Sequence, residues 1–341
     1  MAISTKFLPS LHRPSVQTTS SDKVTRLESF FRGPAPAPAP LDLATLGAEY
    51  DELDIRFEPD QQTLWCTFVH SQRPCFTPRL LQQITSLQSR LKSGLAIEAA
   101  AGRSPLRSIV WCSAMPGIWN LGGDLALFTD LIRAGAEDEL RQYAYACVDT
   151  VYHNLVKLNL PLLTVALIQG DALGGGFEAA LTNDVIIAER DSKFGLPEIL
   201  FNMFPGMGAY SLLCRRLDGC RAQRMILSGR LYEAEELLEL GLVDLVVETG
   251  EGPTAVREYL ARNERRLGVL NALSQVRQRC QPVSYEELID VTDIWVETAL
   301  GLGDADLRRM ERLAAAQARR QARHRRGCGE SETAAVSAAA C

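Results

Sequence analysis

Between Leu163 and Gly208 the chain reads LTVALIQGDALGGGFEAALTNDVIIAERDSKFGLPEILFNMFPGMG, and the three consecutive glycines in this stretch constrain the fold more than any other feature. An apolar, β-branched run, Thr164 to Ile168, stops at Gly170, and Gly174 to Gly176 then open a helix-like segment, FEAAL. The pattern predicts a strand, a tight turn and the start of a helix. Glycine lets the backbone approach a ligand closely, and the first amides of a helix lack intrahelical partners and lie at the positive end of its dipole. Such a place suits an oxygen that becomes negative.

Two glutamates flank this place: Glu178, two residues past the last glycine, and Glu198 in GLPEILF, twenty positions on (198 − 178). Paired carboxylates beside an oxyanion site are what proton removal next to a thioester carbonyl needs. ALGGGFEAAL followed by FGLPEILFNMFPGMGAY resembles the crotonase (enoyl-CoA hydratase/isomerase) superfamily, in which the two segments each carry a catalytic glutamate. Upstream, GIWNLGGDLALF at 117–128 is similar to that superfamily's other oxyanion segment. The wording NLGGDLALF, FEAAL and FPGMGAY resembles one branch, the bacterial diffusible signal factor synthases, which make cis-2-unsaturated fatty acid signals. The late stretch DIWVETALGLGDADLRRMERLAAAQARR fits the same branch, so the resemblance spans roughly residues 50 to 322.

The resemblance implies an α/β fold: a crotonase-type spiral of stacked ββα units with a C-terminal helical oligomerisation subdomain. It implies two backbone N–H groups around a thioester carbonyl, carried over to Leu121 in NLGGD and to Gly175, with Gly122 and Gly176 beside them in substrate binding. Glu178 and Glu198 become the catalytic pair. The substrate is expected as an acyl-carrier-protein or CoA thioester, with no metal or redox cofactor. The expected assembly is a homotrimer or hexamer, and the branch associates with the receiver region of a sensor kinase.

The whole-chain properties agree with an enzyme of this kind. At 341 residues and 46% hydrophobic content the chain can bury a sizeable core. A net charge of −6 and a pI near 5.4 argue against a nucleic-acid-binding protein. Nine cysteines, without CxxC or Cys/His metal spacing, read as core thiols in a reducing, cytoplasmic compartment. No apolar run reaches the roughly eighteen residues of a membrane span.

Residues 1–45 read as a disordered leader, rich in Ser, Thr and Pro, with the linker PAPAPAP; a targeting peptide is the other reading, without an apolar or arginine-rich pattern to support it. Residues 50–252 form the expected catalytic domain, 253–322 a helical subdomain, and 323–341 a disordered tail. Leu53–Phe57 and Thr63–Val69 predict a β-hairpin, and Thr77–Leu91 an amphipathic helix capped by Thr77. A strand at 108–113, helices at 126–133 and 137–159, a strand at 163–169, a helix at 176–182 and a strand at 185–189 follow. Residues 228–250 read as turn, helix, a cap at Gly241 and a last strand, and nearly everything after Pro253 as helix.

Several residues carry two readings. Glu178 stands in a helix first turn, where the dipole favours its ionised form, whereas the apolar neighbours of Glu198 favour protonation. A tight connection with a solvated glutamate would also explain GGGFE taken alone. Asp124 is expected to cap a helix rather than transfer protons, and His153 to sit at the surface. Phe201, Met203, Phe204 and Met207 suit an acyl channel or ordinary core. Residues 307–326 hold eight arginines against one glutamate, which reads as a solvated helix face or as a site for acidic carrier protein, CoA phosphates or nucleic acid. An ordinary enoyl-CoA hydratase or isomerase, or a scaffold binding RNA or a regulatory protein, are the rival functions. There is no GxSxG elbow, so any thioester hydrolysis must use water in the glutamate pocket.

Overall fold

The computed structural model describes residues 41–71 and 73–319. Most of the expected leader and all of the expected tail lie outside the described residues.

The first two strands form a hairpin, β1 (Leu53–Glu58) and β2 (Thr63–Phe68), paired antiparallel across Pro59–Gln61. Helix α1 (Pro78–Ala100) follows, its first turn closed by Leu80 N–H donating to Thr77 Oγ1 at 3.2 Å. It outruns the expected stop at Leu91 because no glycine cap or proline interrupts it before Ala101. Next come β3 (Ser108–Ser113), β4 (Gly117–Asn120), α2 (Leu125–Ala134) and α3 (Glu137–Leu155). The glycine-rich unit is β5 (Leu163–Ile168), β6 (Gly170–Leu173) and α4 (Gly175–Leu181). After it run β7 (Val185–Glu189), β8 (Lys193–Gly195), a 3-10 turn at Pro197–Phe201, α5 (Ala209–Arg216), α6 (Gly219–Ser228), β9 (Leu231–Glu233), α7 (Ala234–Glu239) and β10 (Leu245–Val247). Four helices end the described chain: α8 (Gly252–Asn263), α9 (Leu267–Cys280), α10 (Tyr285–Leu300) and α11, residues 304–319.

The strands form a six-stranded sheet, β1-β2-β3-β5-β7-β10, and a four-stranded sheet, β4-β6-β8-β9. In each of the pairs β3/β4, β5/β6 and β7/β8 the first strand joins the large sheet and the second the small one, which is the stacked ββα spiral expected. β3, β5 and β7 are buried at every position, as parallel strands covered on both faces must be. Val165, Leu167 and Ile187 pack there against Val256 and Leu260 of α8. The first helix after Pro253 therefore belongs to the sheet core rather than to a separate helical part.

Three local features differ from the sequence reading. The expected strand 163–169 stands as β5, but a second strand, β6, follows it where a connection is expected: the chain passes from one sheet to the other at Gly170, where a Cβ would overlap the Gly117–Ile118 backbone. The strands β4, β8 and β9 are three or four residues long, too short to show a period. The expected helix 137–159 ends at Leu155, and Lys157, Leu158 and Asn159 turn left-handed, with φ of 52°, 57° and 59°. That reversal aims the chain into β5 and is braced by buried Lys157, whose Nζ lies 3.4 Å from Asp184.

Candidate active site

Three loop segments converge where α4 begins. Glu178, on the first turn of α4, is buried, and its Oε1 accepts the N–H groups of both Met207 and Ala209 at 2.8 Å. Gly208 lies between these donors with φ of +113°, a conformation that turns both amides toward one oxygen and that glycine tolerates best. Glu198 sits on the Pro197–Phe201 turn; it is half-buried, yet its Oε2 is wholly enclosed with no hydrogen-bond partner among the described residues. Both glutamates line one cavity of about 330 Å³.

Burial pushes both carboxyls above the ordinary glutamate range. For Glu178 the Ala209 and Met207 amides oppose the rise, whereas for Glu198 the neighbouring Glu178 charge adds to it. Burial, which its apolar surroundings predict, is the largest cause for Glu198, as it is for Glu178. Glu178 is not kept in the ordinary carboxylate range by the helix dipole as expected, because desolvation outweighs the dipole and the two amides.

The three glycines do separate jobs. A Cβ at Gly176 would overlap the Asn120 carbonyl, so glycine there lets α4 touch the end of β4; a Cβ at Gly175 would strike Met207 Sδ. Gly174 faces the Glu198 carboxylate. The Gly175 N–H lies at the open first position of α4 and lines the cavity.

In the upstream segment the structure corrects the assignment of donors. Leu121 lines the cavity, but its N–H donates to the Pro74 carbonyl at 2.8 Å, and the Gly122 N–H donates to Asn120 Oδ1 at 2.8 Å. Gly123, also in the cavity wall, is the member of the three whose N–H has no partner among the described residues. Its nitrogen lies 3.5 Å from where a Gly175 Cβ would stand, so the free amides of the two segments are neighbours. Sequence reasoning missed Gly123 because backbone pairing in loops leaves no mark on side-chain type.

Asp124 braces the segment as expected. It accepts the Leu127 N–H at 3.2 Å and pairs with Arg73, while its own N–H donates to Tyr143 Oη at 2.9 Å. His153 lies away from the cavity, half-buried, with Nδ1 2.9 Å from the Asp149 carbonyl. The rest of the cavity wall is mostly apolar, with Thr292 and Gln317 as polar members: Phe201 and Met207 line it, Met203 and Phe204 do not. Trp295 of α10 packs against Phe128 with ring centres 4.8 Å apart and planes tilted by 52°, and Leu313 and Ala316 of α11 close the wall. Cys147 also faces the cavity, and burial pushes its thiol up, which leaves it neutral. Among the described residues no cluster of three or more His, Cys, Asp or Glu side chains could hold a metal ion, and no helix is long and apolar enough to cross a membrane.

The family model for enoyl-CoA hydratase/isomerase matches residues 94–272, which takes in both glutamates, the glycines and the Asn120–Asp124 segment. The chain belongs to that family. Its relatives include the mitochondrial methylglutaconyl-CoA hydratases of Mus musculus and Homo sapiens, each 32% identical over 166 residues, or 48% of this chain. The match takes in 51% and 47% of those proteins, so this enoyl-CoA hydratase/isomerase family member spans about half the length of the curated relatives it matches. Among solved structures, an enoyl-CoA hydratase from Bacillus halodurans superposes with a TM-score of 0.62 at 22% identity, covering 76% of this chain and 99% of that one. Pseudomonas aeruginosa DspI gives 0.57 at 23%, covering 73% and 92%. At such identities these likenesses speak for the fold, and the fold they share is the two-sheet spiral described above.

Proposed function

We propose that the protein is an acyl-thioester dehydratase/hydratase working through Glu178 and Glu198. Its physiological direction is dehydration of a 3-hydroxyacyl-carrier-protein to a cis-2-enoyl thioester, followed by hydrolysis to the free fatty acid. One observation carries the reading: two carboxyls with raised pKa values share a single, mostly apolar cavity with the unpartnered amides of Gly175 and Gly123.

The thioester oxygen would accept from Gly175 N–H and from Gly123 N–H. Negative charge grows on that oxygen as C2 loses its proton, and a preorganised donor there is worth roughly 3–4 kcal/mol. Two neighbouring carboxyls in a dry site hold about one proton between them. The ionised one removes the C2 proton; the protonated one gives its proton to the C3 hydroxyl, which leaves as water while the C2–C3 double bond forms. The pair ends with one proton, as it began, and hydration is the reverse. For hydrolysis the ionised carboxylate takes a proton from a water whose oxygen adds to the carbonyl; the C–S bond then breaks as one of the two carboxyls returns a proton to the departing sulfur, which leaves as the thiol, and the pair again holds one proton.

The resemblance to the signal synthases and the mostly apolar wall around Trp295 support this reading. The names of the curated relatives support a second one, hydration of an enoyl-CoA. Exposed Val269, Leu273 and Val276, at three- and four-residue steps on α9, support assembly with further copies. The deciding test is mass spectrometry of products from matched 3-hydroxyacyl-carrier-protein, 3-hydroxyacyl-CoA and 2-enoyl-CoA substrates. Free cis-2-enoic acid from the carrier protein is the expected product, and turnover of CoA thioesters alone, without free acid, would establish the second reading.

A further inference from the structure

Helix α4 carries Gly175 as its first residue and Glu178 in its first turn, and both its ends are held by one neighbour, α5. At the front, the N–H of Ala209, the first residue of α5, donates to Glu178 Oε1 at 2.8 Å. At the back, Arg216, the last residue of α5, donates from one nitrogen, Nη2, to the carbonyls of Leu181 at 3.0 Å and Asn183 at 2.7 Å. The last carbonyls of a helix have no intrahelical partner and form its negative end, so a guanidinium answers both needs. Adjacent Arg215 behaves as surface arginines usually do: it pairs with Glu287 at 2.7 Å and donates to Pro282. Arg216 instead serves main-chain carbonyls, with no carboxylate in ion-pair contact among the described residues. Although it is half-buried by exposure, enough protein surrounds its head group that burial, with Arg277 nearby, pulls its pKa below the ordinary arginine value.

The spacing matters because α4 is short. Seven residues span about 10 Å and have no stability as an isolated helix, so the axis points wherever its contacts hold it. We propose that Arg216 is a positioning residue: by pinning the carbonyl end of α4 it fixes the direction of the Gly175 N–H and the reach of Glu178 at the other end. The proposal rests on the reading of Gly175 and Glu178 as groups that act on the thioester. A misplacement of about 1 Å at a reacting centre can cost on the order of a hundredfold in rate.

The test compares Arg216→Met, Arg216→Lys and Arg215→Met in the full chain, by steady-state hydration of a 2-enoyl-CoA and by hydrogen exchange of the peptide covering 173–183. Arg216→Met is expected to lower kcat at least tenfold with KM changed less than threefold, and to speed exchange in that peptide. Arg216→Lys, which keeps a cation and donors, should recover most of the kcat, and Arg215→Met should match wild type in both measurements. An unchanged kcat in folded Arg216→Met, an equal loss in Arg215→Met, or a lysine variant no better than methionine would overturn the proposal. If Arg216→Met does not fold, Arg216→Gln takes its place with the same expectations. If wild-type protein turns over no thioester, the reading of the site fails, and exchange alone decides: unchanged exchange at 173–183 then removes the clasp.

Discussion

Glu198 lies directly against Gly174, although twenty-four positions separate them (198 − 174): a Cβ on Gly174 would stand 2.6 Å from Glu198 Oε1 and 3.5 Å from its carboxyl carbon. Gly174 also has φ of +53° and ψ of −128°, a conformation that side-chain-bearing residues avoid. The first glycine of the triplet thus makes room for the Glu198 carboxyl, while the second lines the cavity.

Gly174→Ala is therefore expected to fold with a loss of about 1–3 kcal/mol from backbone strain, and to displace Glu198. Dehydration should fall at least tenfold, well beyond any change in KM. Thermal unfolding and steady-state kinetics on the same preparation check both parts; wild-type kcat in this variant would separate Glu198 from the chemistry.

Glutamine at position 178 or 198 keeps shape but cannot carry the proton. Glu178→Gln and Glu198→Gln should each lower dehydration by about a hundredfold or more, the scale for losing a general acid or base. The double variant should be little worse than either, since the two groups act as a unit. Free-acid release should fall in parallel, and a single variant that still hydrolyses a saturated thioester at wild-type rate would point to a separate hydrolytic site.

Both glutamates have folded-state pKa values above their ordinary 4.5, so over that interval the folded protein binds more protons than the unfolded chain. Stability from this source is complete below the ordinary value and is lost as pH rises through the folded values, which for Glu198 is pushed up to about 8. Wild type should accordingly lose Tm on going from about pH 5 to about pH 8. Glu198→Gln should lose less, so that its Tm advantage over wild type grows toward alkaline pH. A gap that stays constant across this range would show that burial of Glu198 does not shift its titration.

Gly206 faces the indole of Trp295, and a Cβ there would come 2.5 Å from the ring. Gly206→Ala should push Trp295 into the cavity and shorten it. Competition among saturated 3-hydroxyacyl thioesters of increasing length should show kcat/KM falling at least tenfold for the longest accepted chain, with less than threefold change for the shortest. An equal effect at every length would mean that Trp295 does not bound the acyl chain.

How much was legible in the sequence differs between the elements. The long elements, α1, α3, β3 and β5, show their period or apolar run directly, and GGGFEAAL, PE and NLGGD name the segments that meet at the cavity. Asp124 as a cap also follows from neighbours close in sequence. The tertiary structure decided what depends on neighbours distant in sequence. The amides that hold Glu178 come from residues 207 and 209, and desolvation by the packed core then raises its pKa despite the helix dipole. Leu121 is removed from the free donors by a carbonyl at Pro74, forty-seven residues earlier (121 − 74), and Gly123 is left open. Trp295, Leu313 and Ala316 close the cavity wall from more than a hundred residues beyond Glu178. Local propensity and spacing are written residue by residue, whereas burial, backbone pairing in loops and the direction of a short helix exist only once distant segments have packed.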